Sequence, residues 1–273
     1  MLYFFTLFKL IYMGICFSDS DEKEIQNRFD NGKITKVYKL DNLNLKSLNQ
    51  LNKYQISGII NVLSAKNNSL KELTQEFFDK IIEIKKINLS FNEFKEFPNI
   101  PVKLTSSIKI LDLSNNQIEE IPILISKFIK IKELNLSTNK INSIPNDLTN
   151  LKELETLNLS NNNINSFSNN LISLEQLSFL NISKNKISII PEKNWDKSKL
   201  IQLDLSYNKI SKIPDEIFGQ SKITILKLKG NNLTISDIKD SNNFDKYLER
   251  RKMLKDQGFK HDLNMSFSLC GLD

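Results

Sequence analysis

A chain of 273 residues with 40% apolar side chains is long enough for one or two domains and apolar enough to bury a core. Its 38 basic and 32 acidic residues leave +6, with opposite charges interspersed and no basic run carrying interleaved aromatics, so nucleic-acid binding is not expected. Seven scattered glycines form no phosphate-cradling loop, while one histidine (His261) and two distant cysteines (Cys16, Cys270) make neither a metal site nor a disulfide framework. The cysteine usage fits a reducing compartment, and no cofactor is expected.

Residues 1–18 are strongly apolar, broken only by Lys9. Three readings stand side by side. A signal peptide cleaved near Ser18 fits in length but lacks a basic n-region. A signal anchor would be short and carry a charge in mid-segment. If Met13 is the true start, Met13-Gly14-Ile15-Cys16-Phe17-Ser18 matches an N-myristoylation pattern, with Gly14 acylated and Cys16 placed for palmitoylation. Two acyl chains anchor stably where one does not.

Residues 19–33 are expected to form a polar cap. A helix over 19–32 would be N-capped by Ser18 or Ser20 and stopped by Gly32.

From residue 34 to 237 one pattern recurs, Leu-x-x-Leu-x-Leu-x-x-Asn-x-Leu-x-x-Leu-Pro, with Ile or Phe allowed for Leu. One copy reads Ile108, Leu111, Leu113, Asn116, Ile118, Ile121, Pro122; the next reads Ile131, Leu134, Leu136, Asn139, Ile141, Ile144, Pro145. The asparagines fall at Asn68, Asn92, Asn116, Asn139, Asn162, Asn185, Asn208 and Asn231, spaced 24, 24 and then 23 residues apart. Such a period marks stacked units, because no single copy can bury its own apolar side. Leu111 and Leu113 alternate across Asp112, as a half-buried strand requires. Each asparagine is expected to be a buried polar group satisfied by backbone bonds. Pro122, Pro145, Pro191 and Pro214 set φ where the chain turns to the far side, and steps such as Leu148, Leu151, Leu154 suit a 3-10 turn there. The edges are less regular. Thr35 to Leu48 is a degenerate first copy with Leu43 at the Asn position, Ala65 replaces a leucine in the second, Ser168 follows Phe167 where Pro is expected, and Trp195 sits at or beside a convex leucine position. About nine repeats result.

These motifs resemble the leucine-rich-repeat superfamily, in particular its intracellular 23-residue, Ras-suppressor-like type, whose hallmark is seen in Ile121-Pro122, Ile144-Pro145, Ile190-Pro191 and Ile213-Pro214. The resemblance covers about three quarters of the chain. It implies an α/β solenoid with a curved parallel sheet on the concave side and short helical or 3-10 turns on the convex side. It is specific for fold and weakly specific for function.

Residues 238–273 form a second cap and tail. A helix from Ser241 to Gln257, with an apolar stripe of Phe244, Tyr247, Leu248 and Met253 or Leu254, is expected to dock on the last repeat. The layout ending Asn-Phe-Asp-Lys-Tyr-Leu-Glu-Arg-Arg is loosely similar to the repeat half of protist proteins that carry a 2C-type protein phosphatase domain. The Asp-Gly-His-Gly-type metal motif of that domain is missing, so its activity does not carry over.

No nucleophile–base set or metal-ligand spacing stands out. Asp112 and Asp204 occupy equivalent strand positions four repeats apart, at roughly 5 Å per repeat too far for an acid/base pair. The expected function is therefore non-enzymatic: a protein-binding module, in intracellular signalling, whose partner sits on the concave face. Two apolar spots on that face are the candidate contacts. One groups Phe179, Ile201, Tyr207 and Ile225, with Lys184 beside Tyr207; the other pairs Phe91 with Ile110, edged by Lys85, Lys86 and Lys109. The alternatives are the regulatory repeats of a truncated phosphatase and a secreted or surface recognition protein. Against secretion, Asn88, Asn135, Asn158 and Asn181 each head an Asn-x-Ser sequon in mid-strand, where glycans would crowd the concave face. The chain is expected to be monomeric and cytoplasmic, tethered to a membrane if Gly14 and Cys16 are acylated.

Overall fold

The computed structural model describes residues 19–54 and 56–256. The segments 1–18 and 257–273, and with them Gly14, Cys16 and His261, lie outside the described residues. Nine short strands form one parallel sheet in strict chain order: β1 (Val37–Lys39), β2 (Gly58–Ser64), β3 (Ile81–Asn88), β4 (Ile110–Asp112), β5 (Glu133–Asn135), β6 (Thr156–Asn158), β7 (Phe179–Asn181), β8 (Gln202–Asp204) and β9 (Ile225–Lys227). The register never slips from β3 onward, so Ile110, Glu133, Thr156, Phe179, Gln202 and Ile225 lie side by side on one row. The return paths carry 3-10 turns at Leu48–Tyr54, Ile123–Lys127 and Asn146–Asn150, and one-turn α-helices elsewhere, including Asn169–Ile172 and Asp215–Gly219. Pro122, Pro145 and Pro214 stand immediately before three of these turns, with φ near the value the ring imposes.

The core is one continuous apolar column. Leu111, Leu113, Ile118 and their equivalents in each repeat are fully buried; each such side chain contributes about 1.5–3 kcal/mol by leaving water. The asparagine ladder holds the column in register. Asn139 accepts the Ile118 amide on Oδ1 at 2.9 Å and donates from Nδ2 to the carbonyls of Leu113 and Leu136 at 3.0 and 3.1 Å. Asn162, Asn185 and Asn208 repeat the same three bonds. In every case Oδ1 serves the preceding repeat. Where Leu43 replaces the first asparagine, Asn68 takes the amides of both Leu43 and Leu45.

The irregular positions have local solutions. Ser168, in place of proline, N-caps its helix by accepting the Asn170 amide. Trp195 is fully buried, donates Nε1–H to the Pro191 carbonyl at 2.7 Å and meets Phe167 edge-on, closing an otherwise irregular loop. The strands β2 and β3 are longer than the others and contain a bulge at Gly58/Ile59, a feature the repeat pattern does not foreshadow.

Both ends are capped by helices. The N-terminal one runs Asp19–Thr35, so Gly32 lies inside it rather than ending it. A Cβ at Gly32 would stand 2.5 Å from the Tyr38 ring, so this glycine serves close packing. Lys36, with φ 61°, ends the helix and bonds the Gly32 carbonyl. Arg28 reaches from the helix to the carbonyls of Asp41 and Lys39 at 2.8 and 3.3 Å. The C-terminal cap helix, Phe244–Asp256, buries Phe244 and Tyr247 against Phe218. The Tyr247 hydroxyl accepts the Leu226 amide of β9. The expected apolar stripe stops there: Leu248 and Met253 are exposed, and the side chain of Leu254 lies outside the described set. Arg250 takes over the contact, donating to the carbonyls of Phe218 and Ile223 at 2.7 and 3.2 Å, and its burial holds the guanidinium below its usual basicity.

Candidate partner-binding surface

Five residues of each repeat, from the one before the strand to the one before the ladder asparagine, build the concave side. The last strand position is a brace. Asn88, Asn135, Asn158 and Asn181 accept the amide of the serine two residues on, and Asp112 and Asp204 do the same for Ser114 and Ser206 at 2.9 and 3.0 Å. The two carboxylates are therefore turn-holding groups rather than solvated side chains, and Asp204 also pairs with Lys227. The sequon asparagines share this role. Among the described residues no three His, Cys, Asp or Glu gather as a metal site, and no helix is long and apolar enough to cross a membrane.

The first row of the sheet carries the apolar strand residues. Phe179 and Ile225 are half-buried and flank Gln202 in register. Ile201 is 48% exposed and its carbonyl accepts the amides of Thr224 and Ile225. These three residues lie on three adjoining repeats, Phe179 and Ile225 two strands apart with Gln202 between them and Ile201 just before β8. Tyr207 does not join them. It lies beyond the strand, at the turn, where its ring covers Gly230 so closely that a Cβ there would stand 2.5 Å away. Lys184 holds the same turn position one repeat earlier and bonds the Ser206 carbonyl. The second expected spot divides in the same way. Ile110 is on β4, while Phe91 is at the turn after β3, with its ring under the Lys66 ammonium at 5.1 Å. Lys85, Lys86 and Lys109 line the opposite end of the strands, far from Phe91. Both separations follow from position along the repeat: a turn residue is five positions along the chain from the first-row residue of its own repeat, at most about 17 Å if fully extended.

Sequence reasoning missed a backbone property of the turn row. The residue before each ladder asparagine is left-handed: Asn67, Phe91, Asn115, Thr138, Asn161, Lys184 and Tyr207 have φ between 53° and 56°, and Gly230 has φ 73°. The signal was available, since the row is fixed by its place before the asparagine, but the identities vary too much to suggest one conformation.

Comparison with known proteins agrees with this geometry. A leucine-rich-repeat family model matches residues 129–187, and a second matches 107–128 and 199–220. No curated protein matches the chain. Among solved structures it is similar to a leucine-rich-repeat protein of Leptospira interrogans, with 28% identity over 70% of this chain and 47% of that one, at a TM-score of 0.64. An internalin from Listeria monocytogenes aligns with 25% identity over 68% of this chain and 52% of its own, TM-score 0.56. The plant peptide hormone receptor RGFR1, solved in complex with RGF2, aligns with 25% identity over 66% of this chain and 31% of its own, TM-score 0.54. The chain thus spans about half the length of these proteins, or less. With its asparagine ladder, its single parallel sheet and these matches, the chain folds as a leucine-rich-repeat solenoid.

Proposed function

We propose that this protein is a non-enzymatic interaction module of intracellular signalling that binds a protein partner on the concave face. The observation that carries the reading is the set of accessible apolar side chains on three adjoining repeats, Phe179 and Ile225 in the first row of β7 and β9 with Ile201 one position before β8, where the other first-row residues of β5, β6 and β8 are Glu133, Thr156 and Gln202. Apolar anchors within a polar surround are where binding energy concentrates. Asp112 and Asp204 each give one carboxylate oxygen to a turn amide, which fits a structural role for both in this reading. The solved neighbour in complex with RGF2 supports a polypeptide as the partner class. A membrane tether through Gly14 and Cys16 belongs to the same reading and rests on the acylation pattern that begins at Met13.

Quantitative mass spectrometry of proteins crosslinked to the wild-type chain and to Ile201→Asp tests the reading. A reproducible set of partners should vanish with the variant while its melting temperature holds. An identical set from both proteins would remove the strand-face cluster as the site. N-terminal mass spectrometry checks the tether, which requires an acylated Gly14.

A further inference from the structure

The left-handed turn row is an unusual place for large side chains. Only glycine and, less readily, asparagine adopt φ near +55° without steric cost. Asn67, Asn115, Asn161 and Gly230 obey that preference, whereas Phe91, Thr138, Lys184 and Tyr207 do not, and of these four Phe91 and Tyr207 are aromatic. Among the described residues these are also the two exposed aromatic side chains, at 46% and 49%. Both exposed aromatics thus occupy positions where the backbone favours asparagine. The contacts of Phe91 with Lys66 and of Tyr207 with Gly230 offset part of that cost, and departures of this kind from local preference gather at functional surfaces.

Their surroundings are alike. Lys66 lies over the Phe91 ring, and the Tyr207 amide bonds the Lys229 carbonyl. Lys66 and Lys229 hold the same register position in their repeats. The position between them is serine throughout, at Ser90, Ser114, Ser137, Ser160, Ser183 and Ser206. The order along the rim is therefore lysine, aromatic, a polar stretch with Asn115 and Asn161, aromatic, lysine. Neither Lys66 nor Lys229 is in an ion pair among the described residues, and Lys184 adds a third such cation. Five repeat steps separate Phe91 from Tyr207, about 24 Å at the usual strand spacing. An extended polypeptide covers that distance in about seven residues.

We propose that this rim binds an extended acidic peptide segment of a partner, with two apolar anchors about seven residues apart seated on Phe91 and Tyr207 and flanking carboxylates met by Lys66 and Lys229. The proposal rests on the reading of the chain as a protein-binding solenoid and adds the partner's chemistry, at a rim separate from the strand-face cluster. Charge selects the acidic class, and the amides of Asn115 and Asn161 suit a peptide backbone in between.

The test uses the full chain and fluorescein-labelled peptides in which two Asp-Leu-Asp triplets, joined by Ser and Thr, place their leucines four, seven or ten positions apart. Anisotropy should show tightest binding at seven. Phe91→Asn or Tyr207→Asn should each weaken that peptide at least tenfold and erase the spacing preference, with melting temperatures equal to or above wild type. Ile123→Ser, exposed on a return path away from the rim, should leave peptide binding unchanged. Four results would overturn the proposal: no binding of any peptide at millimolar concentration, no dependence on spacing, a lowered melting temperature in the asparagine variants, or preference for an oligouridine probe, which would make the rim a single-strand RNA surface. Loss of crosslinked partners with Ile201→Asp, alongside failure of the peptides, would leave the strand-face reading standing and this one fallen.

Discussion

The middle of the array and its two ends solve the same problem by different chemistry. From Asn92 to Asn231 each repeat has its roof amide closed by the asparagine of the next, a short side chain that reaches because the next copy is always in place. The first repeat is closed by Asn68 but has no copy before it, the last has none after it in the ladder, and on these two outer sides arginine does the reaching. Arg28 binds two carbonyls at the first repeat, Arg250 binds carbonyls around the last, and Arg28, Arg250 and Arg251 are the only arginines of the chain. In a sequence that otherwise uses lysine, the guanidinium is kept for the places where a planar fork can span two acceptors. Periodicity supplies satisfaction internally; the termini need a longer, multivalent donor.

The largest expected effect lies in the middle. Leu136→Ala should cost about 2–5 kcal/mol, as truncation of a buried leucine does. Hydrogen exchange should show the loss of protection centred on β4–β6, because each repeat contacts only its neighbours. A uniform loss from cap to cap would erase the distinction between middle and ends. At the ends, Arg250→Lys keeps the charge but cannot span the Phe218 and Ile223 carbonyls, and should cost about 1–2 kcal/mol in urea melts. If lysine serves equally well, the contrast between the arginine caps and the ladder fails.

A smaller effect of opposite sign is expected on the turn row. Phe91→Asn should raise stability by about 1 kcal/mol through relief of a left-handed bulky residue. Tyr207→Asn should gain less, since its ring packs on Gly230. The smallest effect is a pH dependence confined to the C-terminal cap. Bonds from the Thr234 amide and hydroxyl hold the Asp237 carboxyl below its ordinary value. A depressed native pKa contributes stability above the unfolded value near 4 and loses it as pH falls through the lower, folded value. Protection of the Ile238 amide, its exchange taken relative to the intrinsic rate at each pH, should therefore fall on acidification in wild type, and Asp237→Asn should abolish that trend.

Much of this fold is legible in the sequence because one buried polar residue can be tolerated only where its three bonds exist, which ties asparagine identity to repeat register. The caps were legible from their break in period. Other features were not. Gly32 reads as a helix stop, yet its reason is the Tyr38 ring, a contact across the cap. Leu248 falls on helical spacing with Phe244, four residues on, yet is left exposed, and Met253, six after Tyr247, lies off the docked face. Tyr207 was grouped with Phe179 and Ile225 because all three point to the concave side; position along the repeat separates them. The left-handed row was hidden because conformation there is imposed by the neighbouring asparagine and serine bonds, not by the residue itself.

The direction of the ladder has a consequence for how the chain is made. A ribosome delivers the repeats in order, and each emerges with its roof amide open until the asparagine some 21 residues later is available, as Ile118 waits for Asn139. Folding during synthesis must therefore trail the emerging chain by about one repeat, with the newest unit always incomplete. The last strand has no such asparagine to wait for, and its closure falls to Tyr247 and Arg250. The C-terminal helix is thus the step at which a growing array becomes a finished one.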